Sequence, residues 1–283
     1  MILPNPPFIK KLLMDIWRLL ITPPARGAWN MAVDESILEA IGRGGSLPTL
    51  RLYAWEPACL SLGYAQSLTD VDIPRLRAHG WEMVRRPTGG RAVLHTDELT
   101  YSVIAPLNEP RVAGTVLESY RRLAQALVQA LIMLSLPVQV NENSSSPHTT
   151  DANPVCFEVP STYEIIVGGK KLVGSAQARR KEGVLQHGSL PLAGDLTRII
   201  QVLTFPDEAS RTRAAARLIN RATTVETALA RKVAWDEAAR AYISAFASVL
   251  ALDLQPDYLT ADEKKRTEEL VRVKYGNPSW MER

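Results

Sequence analysis

The reactive chemistry open to this chain rests on one cysteine, a pair of lysines, two histidines and a glycine turn set among arginines. Cys156 stands at the end of a polar stretch, in Val155-Cys156-Phe157-Glu158-Val159-Pro160-Ser161. A Ser-rich loop is a poor place for a merely packed thiol, and a thiolate there is available as a nucleophile. Cys59, in Ala58-Cys59-Leu60, is expected in the core. Lys170 and Lys171 follow Gly168-Gly169. A lysine at that point is either a solvated edge residue or a cation turned into a site, and side chains alternate along a strand, so only one of the two can face a given side. In the run from Arg85 to His95, Gly89 and Gly90 let the backbone turn sharply and approach a ligand. Arg85, Arg86 and Arg91 offer planar donor forks to carbonyls, carboxylates or phosphates. His95 ends that run and His187 precedes Gly188; each is either a hydrogen-bonded structural histidine or a catalytic one. Four histidines and two cysteines show no CxxC or HExxH spacing, so no metal site is expected.

These groups need elements to hold them. Residues 16–22 alternate loosely before Pro23-Pro24 and read as a strand. Asn30 is read as the cap of a helix reaching Ile41, stopped by Gly42, Gly44 and Gly45. Residues 50–53, 59–62, 83–86, 91–95 and 99–104 are expected as strands, and 70–79 as a helix. Thr115 and Glu118 form a capping box ahead of an apolar stripe through Leu123, Leu127, Leu131 and Leu134, a core-facing helix that ends before Pro137. Residues 141–154 are rich in Asn, Ser, Thr and Pro without periodicity and read as a mobile loop. Strands are expected at 163–167, 171–176 and 184–191, with a hairpin turn at Gly168-Gly169. Beyond about Asp195 strand signals stop and helices are expected, clearest at 211–220 and 235–250, with 260–283 as one charged helix ending at Tyr275-Gly276-Asn277-Pro278. Strands and helices in irregular order, without repeated βαβ units, indicate an α+β fold.

Composition sets the outer limits. With 283 residues, 46% of them hydrophobic, the chain can bury a substantial core. Lysine and arginine total 33 against 30 acidic residues, a net +3 that gives no case for nucleic acid. Two cysteines make no secreted disulfide framework, and no signal peptide or membrane span is evident, so a cytoplasmic location and no membrane partner are expected.

Arg85-Arg86-Pro87-Thr88-Gly89-Gly90-Arg91-Ala92-Val93-Leu94-His95 resembles the signature of the lipoate-protein ligase and octanoyltransferase family. The likeness continues through Asn30–Glu35, through Arg51-Leu52-Tyr53-Ala54-Trp55 with Ser61, Gly63 and Gln66, through Lys171–Gln177, and through Gln186-His187-Gly188-Ser189-Leu190. It implies a biotin/lipoate ligase-like mixed β-sheet core flanked by helices over 16–195. Residues 196–283 would be a helical extension packed on it, or part of one continuous domain. It also implies a substrate pocket built from Arg86, Gly89, Gly90, Arg91, His95, Gly174, Ser175, Ala176, His187 and Gly188. Lys171 matches the lysine that contacts the acyl carbonyl, and an ammonium there would favour a Cys156 thiolate and a tetrahedral oxyanion.

Cys156 resembles the nucleophile of the octanoyltransferase branch that serves the glycine cleavage H protein. The activity implied is transfer of octanoyl from octanoyl-acyl carrier protein to a lysine of a lipoyl domain, through a thioester on Cys156, with no cofactor. Three other readings stand beside it: an ATP-dependent lipoate ligase, an amidotransferase moving octanoyl from the H protein to another lipoyl domain, and a non-catalytic lipoyl-domain-binding protein. Arg91 stands where the ligases keep a third glycine, and Pro160-Ser161-Thr162-Tyr163-Glu164 replaces their Gly-Arg-Asn-Asp segment; both differences point away from nucleotide use. Thr96 stands where an acidic residue usually follows the histidine, with Asp97 as the expected substitute.

Overall fold

A computed structural model describes residues 15–141 and 164–282; the loop expected at 141–154 and Cys156 lie outside the described residues, apart from Asn141. In chain order the elements are β1 (Asp15–Ile21), α1 (Gly27–Gly42), β2 (Thr49–Tyr53), β3 (Cys59–Leu62), α2 (Ile73–Ala78), β4 (Glu82–Arg85), β5 (Val93–His95) and β6 (Glu98–Ala105). They continue with α3 (Val116–Met133), β7 (Val138–Asn141), β8 (Glu164–Val167), β9 (Lys170–Lys171), β10 (Gly174–Arg180) and β11 (Gly183–Pro191). The C-terminal part holds α4 (Glu208–Arg221), α5 (Val225–Leu229), α6 (Trp235–Val249), β12 (Leu252–Pro256), α7 (Ala261–Leu270) and α8 (Pro278–Met281). The large sheet runs β10-β11-β6-β2-β1-β12, with two three-stranded sheets, β4-β3-β5 and β7-β8-β9, beside it. It is mixed: β12, β1 and β2 are parallel, while β2, β6, β11 and β10 are antiparallel. This is the expected α+β architecture, with helices at the C-terminus.

The two faces of the large sheet have different characters, and that difference creates the site. On one face α3 and α6 cover Leu52, Tyr101 and Val103; Tyr242 and Phe246 of α6 lie 6.0 and 6.1 Å from the Tyr101 ring. The capping box at Thr115 and Glu118 starts α3 as the spacing predicts. On the other face, successive residues turn the opposite way. Thr100, Ser102, His187 and Ser189 look there towards α1 and the β4-β3-β5 sheet.

Four expectations require correction. Arg26, not Asn30, stands at the start of α1. Asn30 is fully buried one turn inside, its Nδ2 donating to the carbonyls of Ala25 and Ala54 at 3.1 and 3.0 Å. Strands do not stop at Asp195, because β12 pairs in parallel with β1 and closes the edge of the large sheet. The charged tail is not one helix: α7 gives way to a wide turn at Val271–Tyr275 before α8. That turn carries Tyr275 and Lys274 onto Glu35 of α1, and Trp280 onto the carbonyl of Arg85. Finally, the strand expected at 171–176 is two strands. β9 belongs to the small outer sheet and β10 to the edge of the large one, so the chain crosses between sheets where Lys171 and Ser175 stand.

Candidate active site

A pocket lies between the hydroxyl-bearing face of the large sheet, Met31 of α1, and Ser61, Val93 and His95 of the β4-β3-β5 sheet. Gly174, Ser175, Ala176, His187, Gly188 and Arg86, all expected in a substrate pocket, line it. A Cβ on Gly188 would lie 2.5 Å from Ser175 Oγ and 2.6 Å from the Gly174 carbonyl, so only glycine allows β10 and β11 to close this wall. Ser175 also lines an open groove that contains Gly89, Gly90, Arg91 and Lys171. The expected residues therefore divide between this pocket and the groove, with Ser175 common to both.

Gly90 has φ +91°, and a Cβ on Gly63 would fall 1.9 Å from the Gly90 carbonyl, so turn and strand end are in backbone contact. Arg86 does not hold its guanidinium free for a ligand. It donates to the carbonyls of Gly89 (2.8 Å), Arg91 (2.7 Å) and Ser61 (3.0 Å), and to Ser61 Oγ (3.1 Å), bracing the turn from behind. Arg85 is likewise fully buried, donating to the carbonyls of Gly63, Gln66 and Met281. Of the three arginines read as ligand-facing, only Arg91 lines the groove.

His95 lines the pocket from the β4-β3-β5 sheet. Its Nε2 lies 2.7 Å from Ser61 Oγ and its Nδ1 2.7 Å from Glu98 Oε1, while Trp55 stacks on the ring at 3.9 Å and 9°. Burial opposes the Glu98 charge, but His95 and the hydroxyls of Thr100 and Ser189 hold its carboxyl below the usual carboxylate range. Asp97 does not take the acidic role expected of it. It pairs with Arg198 on the surface, and Glu98 supplies the carboxylate at His95. Ser61, His95 and Glu98 have the connectivity of a serine hydrolase triad. Lys171, the cation that the resemblance places at an acyl carbonyl, lines the outer groove and not the pocket that holds Ser61.

His187 forms a second buried chain, with Nε2 2.6 Å from Thr88 Oγ1 and Nδ1 3.5 Å from Asp34 Oδ2. Asp34 is fully buried and accepts from Arg51 (2.7 Å), Tyr53 (3.1 Å) and Ser102 (3.0 Å). Burial pushes His187 below its ordinary value, with Asp34 opposing. Burial opposes the Asp34 charge too, but Arg51 and His187 hold that carboxyl below its usual range. The unfolded chain therefore binds a proton at this histidine first, near pH ~6.5. The stabilisation is complete above that pH and is lost as the pH falls towards the folded-state value. We expect Tm to fall between about pH 7.5 and about pH 5.5, and His187→Gln to flatten the fall. An equal slope in the variant, measured by thermal unfolding, would refute the assignment.

Lys171 is 8% exposed, its Nζ 3.2 Å from Glu164 Oε1. Lys170 points elsewhere, its Nζ donating to the Ile219 carbonyl at 2.7 Å. Sequence reasoning missed Ser61, Glu98, Asp34, Arg51 and Trp55 as parts of this assembly. Arg51 offered a signal, because a charge inside Leu50-Arg51-Leu52-Tyr53 needs a buried partner. Among the described residues no three His, Cys, Asp or Glu side chains converge as a metal site, and no helix is long and apolar enough to cross a membrane.

Residues 26–247 match the lipoyl protein ligase A/B catalytic domain. The chain belongs to that family. Among its relatives are the octanoyltransferase LipM of Symbiobacterium thermophilum, 42% identical over 93% of this chain and 97% of that protein, and that of Moorella thermoacetica, 43% identical over 95% and 98%. The fold is similar to the bipartite lipoate protein ligase of Thermoplasma acidophilum, solved in a study of that ligase and its E2 lipoyl domain. The TM-score is 0.78 at 27% identity, covering 95% of this chain and 97% of that one. It is also similar to a lipoate-protein ligase A bound with ATP, TM-score 0.77 at 26% identity over 94% and 98%. Within the family's catalytic domain, the glycine turn and the His-Gly segment are thus the parts that build the groove and the pocket.

Proposed function

We propose that this chain is a protein N-octanoyltransferase of lipoate biosynthesis that takes octanoyl from octanoyl-acyl carrier protein and delivers it to a lysine of a lipoyl domain, the glycine cleavage H protein expected. The observation that carries the reading is a largely apolar pocket that shares Ser175 with a groove holding Lys171 and the glycine turn. The relatives named octanoyltransferase, matched along nearly their whole length, support it. The Cys156 thiolate attacks the thioester carbonyl, and the oxyanion that forms is stabilised by the Lys171 ammonium. The C–S bond to the carrier breaks and the carrier thiolate takes up a proton. The neutral amine of the acceptor lysine then attacks the Cys156 thioester, the enzyme thiolate leaves, and loss of a proton from nitrogen gives the amide. Neither step consumes ATP.

Incubation with octanoyl-acyl carrier protein and an apo lipoyl domain, with no nucleotide, is expected to give the octanoylated domain by intact mass. The likeness to an ATP-bound ligase favours a second reading, in which free octanoate or lipoate is activated with ATP and magnesium. Product formed only in that mixture, and still formed by Cys156→Ala, would establish the ligase and end the transferase reading.

A further inference from the structure

β10 is the outermost strand of the large sheet, with β11 on one side and, among the described residues, no strand or backbone partner on the other. In an antiparallel pair every second residue turns its N–H and C=O away from the partner strand, so the outer edge of β10 is a row of open donors and acceptors. The groove follows that edge. Ser175, Gln177, Ala178, Arg179 and Arg180 line it, a run that takes in residues from both faces of the strand. Ser175, shared with the apolar pocket, stands near one end of β10, and the two arginines stand at the other.

The charge along this edge has one sign. Lys171, Arg91, Arg179 and Arg180 line the groove, and among the described residues no acidic side chain does. Arg179 is anchored through Nη1, which donates to the Val112 carbonyl at 3.0 Å and to Gln177 Oε1 at 3.1 Å. Arg180 is held in the same way, its Nη1 donating to Glu35 Oε1 at 2.9 Å. Among the described residues the other guanidinium nitrogens of both have no partner, so two positioned cations face an anion with donors to spare. A ligand matched to all of this is an extended chain with amides along its length, a thioester at one end and a phosphate at the other. We infer that the 4′-phosphopantetheine arm of the acyl carrier protein lies along the outer edge of β10, its amides paired with the strand and its phosphodiester held by Arg179 and Arg180. The inference rests on the carrier-protein donor proposed above. Extended, the arm places its phosphorus about 16 Å from the thioester sulfur. Along β10, Arg180 stands about 17 Å from Ser175 at the rise of a strand. With the thioester at Ser175, where pocket and groove meet, the phosphodiester arrives at the arginine pair, and the amides between them bind as a short added strand does.

Single-turnover acylation by octanoyl thioesters of different reach, followed by intact mass, tests this. Octanoyl-phosphopantetheine is expected to acylate the wild-type protein with a second-order rate constant at least roughly tenfold above that of octanoyl-pantetheine, which lacks only the phosphate. Arg179→Gln combined with Arg180→Gln is expected to shrink that advantage to about threefold or less, and the corresponding pair of lysines to keep part of it. Replacing the N–H of the inner amide by an ester oxygen should cost roughly fivefold in the wild type. The ratio of two thioesters is unaffected by a uniform loss of folded protein, and the wild-type comparison needs no variant. Equal rates from the two thioesters, or an advantage that survives in the glutamine variant, would overturn this course for the arm and leave the transferase reading intact. Faster acylation by octanoyl-coenzyme A than by octanoyl-acyl carrier protein would overturn the carrier as the source of the arm. No acylation by octanoyl-acyl carrier protein would overturn both readings.

Discussion

Replacing Cys156 with alanine is expected to lower octanoyl transfer by at least roughly a thousandfold, the scale on which loss of a covalent nucleophile is felt. Wild-type protein mixed with octanoyl-acyl carrier protein should gain one octanoyl mass, carried on the peptide that contains Cys156, and the alanine variant should gain none. The other cysteine is a clean control, because its surroundings disable it. Cys59 is fully buried in β3 among Met31, Tyr53, Trp55 and Val84. Burial pushes its thiol well above the ordinary value, with Glu82 and Glu98 adding to the rise. A thiol that resists ionisation is a poor nucleophile towards a thioester, and a Cβ on Gly27 would lie 2.3 Å from its sulfur, so the start of α1 packs directly against it. Cys59→Ala should therefore keep transfer within about twofold once its stability loss, roughly 1 kcal/mol for a small core truncation, is allowed for. An octanoyl mass on Cys59, or transfer that survives Cys156→Ala, would refute the thioester mechanism.

Much of the fold was legible because it rests on local signals. The capping box of α3, the Gly168-Gly169 hairpin and the alternating strands β2, β6 and β11 each depend on residues within a few positions of one another. What was misread depends on distant partners. β12 has a short, partly polar sequence and becomes a strand by pairing with β1, more than two hundred residues earlier. The wide turn after α7 exists because Glu35 of α1 draws in Lys274 and Tyr275. Asn30 has the composition of a helix cap, but the chain places it opposite Arg51 and two carbonyls that no cap position would reach.

The site divides in the same way. The glycines of the two motifs declare themselves, since Gly90 in its turn and Gly188 in β11 stand where a Cβ is strained or excluded. Arginines do not declare what they will bind. Arg85 and Arg86 read as ligand forks, and instead they satisfy carbonyls that the close turn would leave buried and unpaired. Glu98 was masked by Asp97 beside it. Asp97 stands in the bend between β5 and β6 and faces Arg198, while Glu98, the first residue of β6, reaches the imidazole.

Side-chain alternation along a strand decides between the two lysines, and it leads to the second large effect. Lys171→Ala is expected to slow acylation of the enzyme by roughly a hundredfold or more, the loss seen when one oxyanion donor is removed. It lines the groove, nearly buried, with Glu164 as an ion-pair partner. Its carbonyl accepts from Thr223 N at 3.0 Å, so the strand that presents it is tied to the segment after α4. A cation fixed in that way needs little reorganisation when negative charge develops on the thioester oxygen. Lys170 is turned to the outer side, where its ammonium is bound to a helix-end carbonyl, and Lys170→Ala should change the rate by less than about twofold. Single-turnover acylation followed by intact mass separates this step from delivery to the acceptor, so a slow second half-reaction cannot mimic the effect. Lys171→Arg keeps the charge on a longer, planar head and should recover part of the rate but not all of it. Equal losses from the two alanine variants would mean that the lysines act through the stability of the β8–β9 hairpin, not through charge at the carbonyl.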